Sequence, residues 1–318
     1  MAHVNTVLGP IHPAELGTTS LHEHLLWSDP GWEFSPYAKQ AFDPPKVFAK
    51  VYHDLIDWKA AGGRTVVDCS GIGIGRDPEL YAAWSRYSGV NVVCCTGFWA
   101  RQKILPYFAE RDLDYMVELM VRELSQGMGT SSIRAGVIKV GNSGDGMWPI
   151  EEQTYRAAAR AAKRTGAAII THGVNFAERQ VEVLMEEGAD PSRVVISHLD
   201  AAYNLNYQRD VRIAKQGFYI GYDHIGTDPD WSPQPYAMKD TIRVEMVKRI
   251  VDDGLVEHLV LANDTNAWSV GLTHRGTPEH TFAHLLRSFV PALLAAGVTH
   301  QQVHTMLVDT PRNLLPIG

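Results

Sequence analysis

Cysteine is scarce in this chain of 318 residues, which contains only Cys69, Cys94 and Cys95. An odd number of cysteines without a C-x-x-C pair argues against a disulfide framework and against a structural zinc site built on thiolates. Each cysteine lies in a valine-rich stretch that is typical of a strand. We therefore predict that all three are buried free thiols.

Long apolar runs and basic segments are missing as well. No apolar run approaches the ~18 residues that a membrane-spanning helix requires, and the N-terminus lacks the basic and apolar parts of a secretory signal. The net charge is −7 and no segment is rich in lysine and arginine, so nucleic-acid binding has little electrostatic support. The sequence predicts a cytoplasmic protein that binds neither membranes nor nucleic acids.

The hydrophobic fraction of 45% is ordinary for a globular protein with a large core. Short strand-like apolar runs occur at 18–24, 65–70, 90–97, 133–140, 167–172, 194–198, 218–222 and 258–262. Segments with helical spacing lie between them, among them 45–61, 112–126, 151–165, 177–187, 239–252 and 281–296. Eight strands that alternate with helices predict an α/β fold, a single (β/α)8 TIM barrel over residues 1–318, with its active site at the C-terminal ends of the strands.

A doubly wound open sheet is the structural alternative to the barrel. The glycine-rich turn at residues 71–75 superficially resembles a dinucleotide-binding loop. It lacks the G-x-G-x-x-G spacing, however, and it does not follow the first strand. We therefore interpret it as a turn and favour the barrel.

The motif His22-Glu23-His24 closes the first strand-like run. Because alternate side chains of a strand share a face, the two imidazoles point the same way and Glu23 points the other way. Two imidazoles at a strand end suit a divalent metal ion. Two surface or capping histidines would give the same motif in a chain with 14 histidines, so the positions of other potential ligands decide between the interpretations.

Further candidate ligands occur at the ends of later strand-like runs. They are Lys139 in the fourth, His172 in the fifth, His198 in the sixth and Asp264 after the eighth. In a barrel these ends share one rim, and a lysine inside an apolar run is costly to bury without a partner. Together with His22 and His24, these residues predict two divalent metal ions that share a bridging hydroxide.

A series of short motifs runs through nearly the whole chain. They are VLG at 7–9, LHEH at 21–24, GIGRD at 73–77, TGFW at 96–99, IRAGVIKV at 133–140, TH at 171–172, SHLD at 197–200, GFYIGYDH at 217–224, ND at 263–264 and TPRNLL at 310–315. By these motifs the chain is identified as a member of the phosphotriesterase family within the amidohydrolase superfamily.

The resemblance implies a role for each candidate ligand. His22, His24 and Asp264 would hold the more buried metal ion, and His172 and His198 the more exposed one. A hydroxide held between two metal ions is a nucleophile at neutral pH, and the exposed ion would polarise the substrate's oxygen. Asp264 would also act as the general base.

Lys139 would be carboxylated by carbon dioxide and would bridge both metal ions. This modification turns a buried cation into an anionic oxygen ligand, and an unmodified Lys139 is the alternative. We expect zinc, with manganese, cobalt or iron as alternatives, because such ligands accept several divalent ions. The resemblance also implies a homodimer that acts on a small-molecule substrate.

One position departs from the family pattern. In the organophosphate-hydrolysing relatives, an acid three residues after the sixth-strand histidine exchanges protons with a histidine after the seventh strand. Here that position is Ala201, although His224 is present. We therefore expect the proton relay beyond Asp264 to be interrupted. His224, the second candidate catalytic residue, would contact the substrate directly or be supported by a contact with Asp223.

Aromatic residues near several strand ends predict an apolar pocket wall, and we assign Trp99, Tyr222 and Trp268 to it. Packing of loops onto the barrel is the alternative. Lactonases of the family commonly carry a tyrosine where Trp99 stands, so that signature is missing. His274 and Arg275 could bind a carboxylate or phosphate of the substrate, and a solvated loop would explain them equally well.

Three functions are consistent with these residues. The first is hydrolysis of a lactone or carboxylic ester, with weak promiscuous phosphotriesterase activity, and the second is genuine organophosphate triester hydrolysis. A non-catalytic metal-binding barrel is disfavoured because all six candidate ligands are present. An interrupted relay favours the first, because a lactone's alkoxide can take back the proton that Asp264 received. We expect kcat/KM for the best lactone or ester to exceed that for phosphotriesters by at least ~10²-fold.

Overall fold

The computed structural model describes residues 2–38, 42–173, 175–270 and 280–318. Its strands are β1 (Val4–Thr6), β2 (Gly9–Ile11), β3 (Thr19–Glu23), β4 (Trp27–Ser28), β5 (Thr65–Asp68), β6 (Asn91–Phe98), β7 (Val137–Gly141), β8 (Ala168–His172), β9 (Val194–Ile196), β10 (Tyr219–Tyr222), β11 (Leu259–Leu261) and β12 (Ser269–Val270). Eight of them form a parallel sheet in the order β3-β5-β6-β7-β8-β9-β10-β11. Sequential parallel neighbours are the topology of a (β/α)8 barrel, so the predicted fold is confirmed.

Helices cover the outside of this sheet. They are α1 (Pro44–Ala60), α2 (Pro78–Ser88), α3 (Pro106–Ala109), α4 (Leu113–Ser125), α5 (Pro149–Thr165), α6 (Ala177–Glu186), α7 (Tyr207–Lys215), α8 (Asp240–Asp252), α9 (Val290–Ala295), α10 (His300–His304) and α11 (Thr310–Leu314). Asp43, Asp77 and Asp112 cap α1, α2 and α4 by accepting a backbone N–H in the first turn. Among the described residues, no helix is both long and apolar enough to cross a membrane.

All eight predicted strand-like runs contain a barrel strand, with ends that differ by a few residues. The antiparallel pair β1–β2 and the short parallel pair β4–β12 were not predicted. Strands of two or three residues contain too few positions to show an alternating pattern. The helices α2, α3, α7, α10 and α11 are also additional to the predicted helical segments.

Two apolar layers hold the barrel together. Val67, Val93, Val137 and Val260 belong to a cluster inside the barrel, and a larger cluster lies between the sheet and the helices. The cysteines are divided between the two layers, and all three are buried and free, as predicted. Apolar side chains fill the interior of the barrel, so polar groups are concentrated at the C-terminal ends of the strands.

Glu23 joins the first and last strands of the barrel. One of its carboxylate oxygens accepts hydrogen bonds from the backbone N–H of Asn263 (3.1 Å) and from its side-chain amide (2.8 Å), and the other accepts from the backbone N–H of Thr265 (2.9 Å). The backbone N–H of Asp264 also donates to the carbonyl of His22 at 3.1 Å. The central residue of the histidine motif therefore points away from its neighbours and closes the barrel.

Gly97 in β6 offers a test of how tightly the barrel packs around Lys139. Its φ is +98°, and a Cβ there would lie 2.1 Å from the carbonyl oxygen of Lys139. Gly62 has a φ of +101° with no atom within 4 Å of such a Cβ, so it is a matched control. We expect Gly62→Ala to lower the free energy of unfolding by roughly 1–2 kcal/mol through backbone strain alone. Gly97→Ala should cost at least ~2 kcal/mol more, because the strand carrying Lys139 must move. Equal losses in urea unfolding would contradict this packing.

Candidate metal centre

Two histidine side chains converge on Asp264, which follows β11. Its Oδ1 lies 3.0 Å from Nε2 of His24 and 3.6 Å from Nε2 of His22. The same Nε2 of His22 lies 2.6 Å from Nζ of Lys139. Lys139 is fully buried, because the alternation of β7 places it on the inner face with Val137. These four residues bring nitrogen and oxygen atoms together at one end of the barrel.

The other two candidate ligands lie directly beside this group. Nε2 of His198, after β9, is 2.7 Å from Nδ1 of His172 at the end of β8. The ring centroids of His198 and His22 are 4.8 Å apart. The structure therefore brings together all six residues that the sequence suggested as ligands.

Asp223 orients two of the histidines from behind. Its Oδ2 is 3.0 Å from Nδ1 of His22, and its Oδ1 is 2.8 Å from Nδ1 of His198. An ionised carboxylate only accepts hydrogen bonds, so both Nδ1 atoms carry the proton and each Nε2 keeps its lone pair. In this structure these lone pairs face Lys139 and His172, and a metal ion could bind them instead. Nδ1 of His24 is similarly held by the Ser70 hydroxyl at 2.9 Å. From the sequence we predicted Asp223 only as a partner for His224, because its position next to that residue carries no sign of contacts with His22 and His198.

The protonation states of these residues suit a divalent cation. Burial, assisted by the charge of Lys139, lowers the pKa of His22 to about 3. Burial and the neighbouring His198 hold the pKa of His172 well below its ordinary value. Burial alone would raise the pKa of Asp264, but its hydrogen bond with His24 and the nearby imidazoles lower it well below the ordinary range. Neutral imidazoles with an ionised carboxylate are the ligand forms that metal ions bind.

Two of these residues have strained backbones. His198 has a φ of +62° and Asp264 a φ of +50°, a left-handed region that residues other than glycine rarely adopt. Such a conformation costs on the order of 1–3 kcal/mol and is concentrated at functional sites. The sharp turns occur where the chain leaves β9 and β11. Apolar patterning carries no information about them.

His224 has an acidic partner, so the expected interruption at Ala201 is wrong. Nδ1 of His224 is 3.1 Å from Oδ1 of Asp200, and its backbone N–H donates to Oδ2 at 3.0 Å. The backbone N–H of Leu199 donates to the carbonyl of Gly221 and holds the turn after β9 against β10. Asp200, one residue before Ala201, is thereby brought beside His224.

The pair of His224 and Asp200 lies close to the candidate ligands. Burial would lower the pKa of His224, but the charge and hydrogen bond of Asp200 raise it above its ordinary value. Nε2 of His224 lies 3.8 Å from Oδ2 of Asp264. His224 therefore occupies the position from which it could exchange a proton with Asp264.

A cavity of ≈ 270 Å³ opens above this centre. It is lined by His24, His172, His224 and Asp264 together with Trp27, Trp99, Asn142, Gly144, Gly173, Tyr203, Gln234, Tyr236 and Asn266. The carboxamides make the wall more polar than the aromatic wall that we expected. A larger cavity of ≈ 710 Å³ lies beside Gly166 and Arg193, and none of the candidate ligands lines it.

Of the predicted wall residues, only Trp99 lines this cavity among the described residues, with its ring 4.5 Å from that of His172. Tyr222 does not, because its parity in β10 turns it toward the helices, where its hydroxyl donates to Asp210 at 2.9 Å. Trp268 packs against the outer apolar layer and is not part of the lining. His274 and Arg275 lie outside the described residues.

Comparison with known proteins identifies the family. The profile of the phosphotriesterase family matches residues 2–315. The chain belongs to the phosphotriesterase family. It is 33% identical to the phosphotriesterase homology protein of Mycobacterium tuberculosis over 329 residues, which cover 99% of this chain and 98% of that protein. It is 27% identical to the N-acetyltaurine hydrolase of Xenopus tropicalis, over 98% of this chain and 97% of that protein.

Solved structures of the family agree with this fold. A mutant PTE-like lactonase from Deinococcus radiodurans has a TM-score of 0.89 at 28% identity and covers 98% of this chain and 99% of its own. A mutant organophosphorus hydrolase from the same organism has a TM-score of 0.89 at 30% identity, with 98% and 97% covered. The chain is therefore a hydrolase of ester- or amide-type bonds, with histidine and aspartate groups that could bind metal ions.

The role of Asp223 in this family member can be tested by substitution. Asn cannot accept hydrogen bonds from both imidazoles, so Asp223→Asn should lower the affinity for divalent metal ions by about 10–100-fold. Competition with a chelator measures this change. Asp210→Asn is the control, because Asp210 is equally buried but contacts Tyr222 instead of a candidate ligand. Similar metal affinity in both variants would show that Asp223 does not orient the ligands.

Proposed function

We propose that this chain is a dinuclear metal-dependent hydrolase of lactones or carboxylic esters. The observation that carries the proposal is the convergence of six candidate metal ligands beneath one cavity, which His24, His172 and Asp264 line. His22, His24 and Asp264 would hold one ion, and His172 and His198 the other. The bound ions would supply a hydroxide nucleophile at neutral pH and would polarise the substrate's oxygen. We propose zinc as the metal, with manganese, cobalt or iron as alternatives.

We also propose that Lys139 is carboxylated and bridges the two ions. Its Nζ is fully buried and lies 2.6 Å from Nε2 of His22 and 3.0 Å from the carbonyl of Thr171. An ammonium in this position would repel two metal cations at short range, and a carbamate would neutralise part of their charge. We also propose a homodimer, which the family resemblance implies. A cytoplasmic location stays a prediction from the sequence.

The chain's own residues would handle the proton and the substrate. Asp264 touches His24 and faces the cavity, so it would take the proton of the nucleophile as general base. His224, held by Asp200, would receive that proton or return it to the leaving group. Trp99 would pack against the substrate beside His172.

The preference for a carboxylic substrate has two supports. The names of two relatives, a PTE-like lactonase and an N-acetyltaurine hydrolase, denote substrates that are carboxylic acid derivatives. The cavity that the described residues enclose is also small for a ligand site, at ≈ 270 Å³. A planar carboxyl carbon has fewer substituents to accommodate than a tetrahedral phosphorus. Because Asp200 lies beside His224, an interrupted proton relay no longer favours lactones over triesters.

Organophosphate triester hydrolysis is the second candidate. It is supported by the organophosphorus hydrolase of Deinococcus radiodurans, at 30% identity. The same metal-held hydroxide can attack phosphorus as well as a carbonyl carbon. Substrate size and geometry therefore distinguish the two candidates better than the metal centre does.

Replacing Asp264 tests the general base. We expect Asp264→Asn to lower kcat by roughly 10²-fold or more, because an amide cannot accept the proton. The fold should persist, since the residue lies at the rim of the barrel. Turnover is measured alongside metal content, and near wild-type kcat with both metals bound would rule out this role.

A substrate panel tests the proposed function itself. Simple lactones, aryl esters, N-acyl amides and dialkyl aryl phosphates are assayed on zinc-, manganese- and cobalt-loaded protein. We expect kcat/KM for the best lactone or ester to exceed that for the best triester by at least ~10²-fold, about 2.7 kcal/mol of transition-state discrimination. A triester as best substrate with lactones untouched would favour the second candidate.

A further inference from the structure

A line of buried charges continues outward from His224. Oδ1 of Asp200 is 3.1 Å from Nδ1 of His224, and Oδ2 of Asp200 is 2.9 Å from Nε of Arg243. The side chains of Asp200 and Arg243 are both fully buried. Oδ1 of Asp200 therefore faces the imidazole of His224, while Oδ2 accepts from Arg243 and from the backbone N–H of His224. Arg243 is the side chain that holds Oδ2.

Arg243 is itself held firmly by its surroundings. It lies in the first turn of α8, and its Nη1 donates to Oδ1 of Asp240 at 3.1 Å and to the carbonyl of Met238. The carbonyl of Thr227 lies 3.4 Å from both terminal nitrogens. A planar guanidinium with several fixed partners has little freedom to rotate. Arg243 thus connects Asp200 to the loop after β10 and to the start of α8.

A buried ion pair such as Asp200 with Arg243 is not an effective way to stabilise a fold. Two charges lose their hydration when they are buried, and a well-packed apolar pair is often as stable or more stable. A second buried pair, Arg209 with Asp210 at 2.8 Å, lies on α7. Its carboxylate accepts from Tyr222 and contacts no candidate metal ligand. The two pairs are alike in chemistry and burial, but only Asp200 contacts His224. Arg209 reaches the turn after β9 through the carbonyl of Leu199, at 3.2 Å.

We propose that Arg243 is a positioning residue for the hydrolysis. By holding one oxygen of Asp200, it fixes the other against Nδ1 of His224 and keeps Nε2 of His224 directed at Asp264. Arg243 exchanges no proton itself, because a guanidinium stays protonated in proteins. The inference rests on the proposed function in one respect, that His224 exchanges a proton with Asp264.

Kinetics of three variants test this role with phenyl acetate as the probe. Arg243→Met should lower kcat by roughly 10-fold or more, the scale of a misplaced reacting group, while KM and metal content change little. Arg243→Lys keeps the positive charge but lacks the planar guanidinium with its several donors. Its kcat should therefore lie between those of the wild-type protein and Arg243→Met. Arg209→Met is the matched control and should keep most of the wild-type kcat, because the backbone N–H of Leu199 still holds the turn after β9. Equal losses of kcat in Arg209→Met and Arg243→Met would overturn the proposal.

A double-mutant cycle separates positioning from a general structural effect. If Arg243 acts through Asp200, then Arg243→Met should cause no further loss of kcat in the Asp200→Asn background. Additive losses would overturn the proposal. Should Arg243→Met fail to fold, the same cycle is run with Arg243→Lys, for which the expectation is the same.

A readout without catalysis keeps the inference separate from the proposed function. The Nδ1–H proton of His224 should give a downfield NMR resonance that disappears in Asp200→Asn, which assigns it. We expect Arg209→Met to retain this resonance and Arg243→Met to shift or lose it. An unchanged resonance in Arg243→Met would overturn the inference. If the wild-type protein hydrolyses no substrate of the panel, the proposed function fails and this comparison still decides the role of Arg243.

Discussion

The candidate centre depends on one carboxylate placed between two imidazoles. Asp223 enters from the end of β10 and binds Nδ1 of His22, from β3, and Nδ1 of His198, from β9. Burial alone would raise its pKa, but the two imidazoles hold the pKa of Asp223 well below its ordinary value. The carboxylate therefore stays ionised, and the lone pairs of both Nε2 atoms are directed at Lys139 and His172, within the candidate centre. Only a closed barrel can bring the first strand against the sixth and seventh in this way.

Closure of the barrel and placement of the ligands are linked through three consecutive residues. His22 and His24 face Asp264, while Glu23 between them binds Asn263 and Thr265 in the turn after the last strand. The same turn that positions Asp264 is thus fixed by the residue that closes the sheet. A substitution of Glu23 would therefore disturb both the contact between the first and last strands and the candidate metal site.

Periodicity along the chain was enough to predict the eight strands, and the strand ends were enough to predict which candidate ligands would lie together. The pattern did not reveal local backbone geometry. The left-handed turns at His198 and Asp264 are invisible to it, and so is the turn that brings Asp200 rather than residue 201 beside His224. Tyr222 is a different case, because its parity beside Asp223 could have predicted that it faces the helices. The cavity wall is built from loops, which carry no periodic signal.

We propose that two metal ions occupy this end of the barrel, bridged by a modified Lys139. The other five ligands would be His22, His24, His172, His198 and Asp264. A crystal structure of the zinc-loaded protein, with anomalous data at the zinc edge, tests this proposal most directly. We predict two anomalous peaks, one among His22, His24 and Asp264 and one beside His172 and His198, with continuous density from Lys139 to both. A zinc-saturated protein with no peak at this end of the barrel, or with an unmodified Lys139 still against His22, would contradict the account.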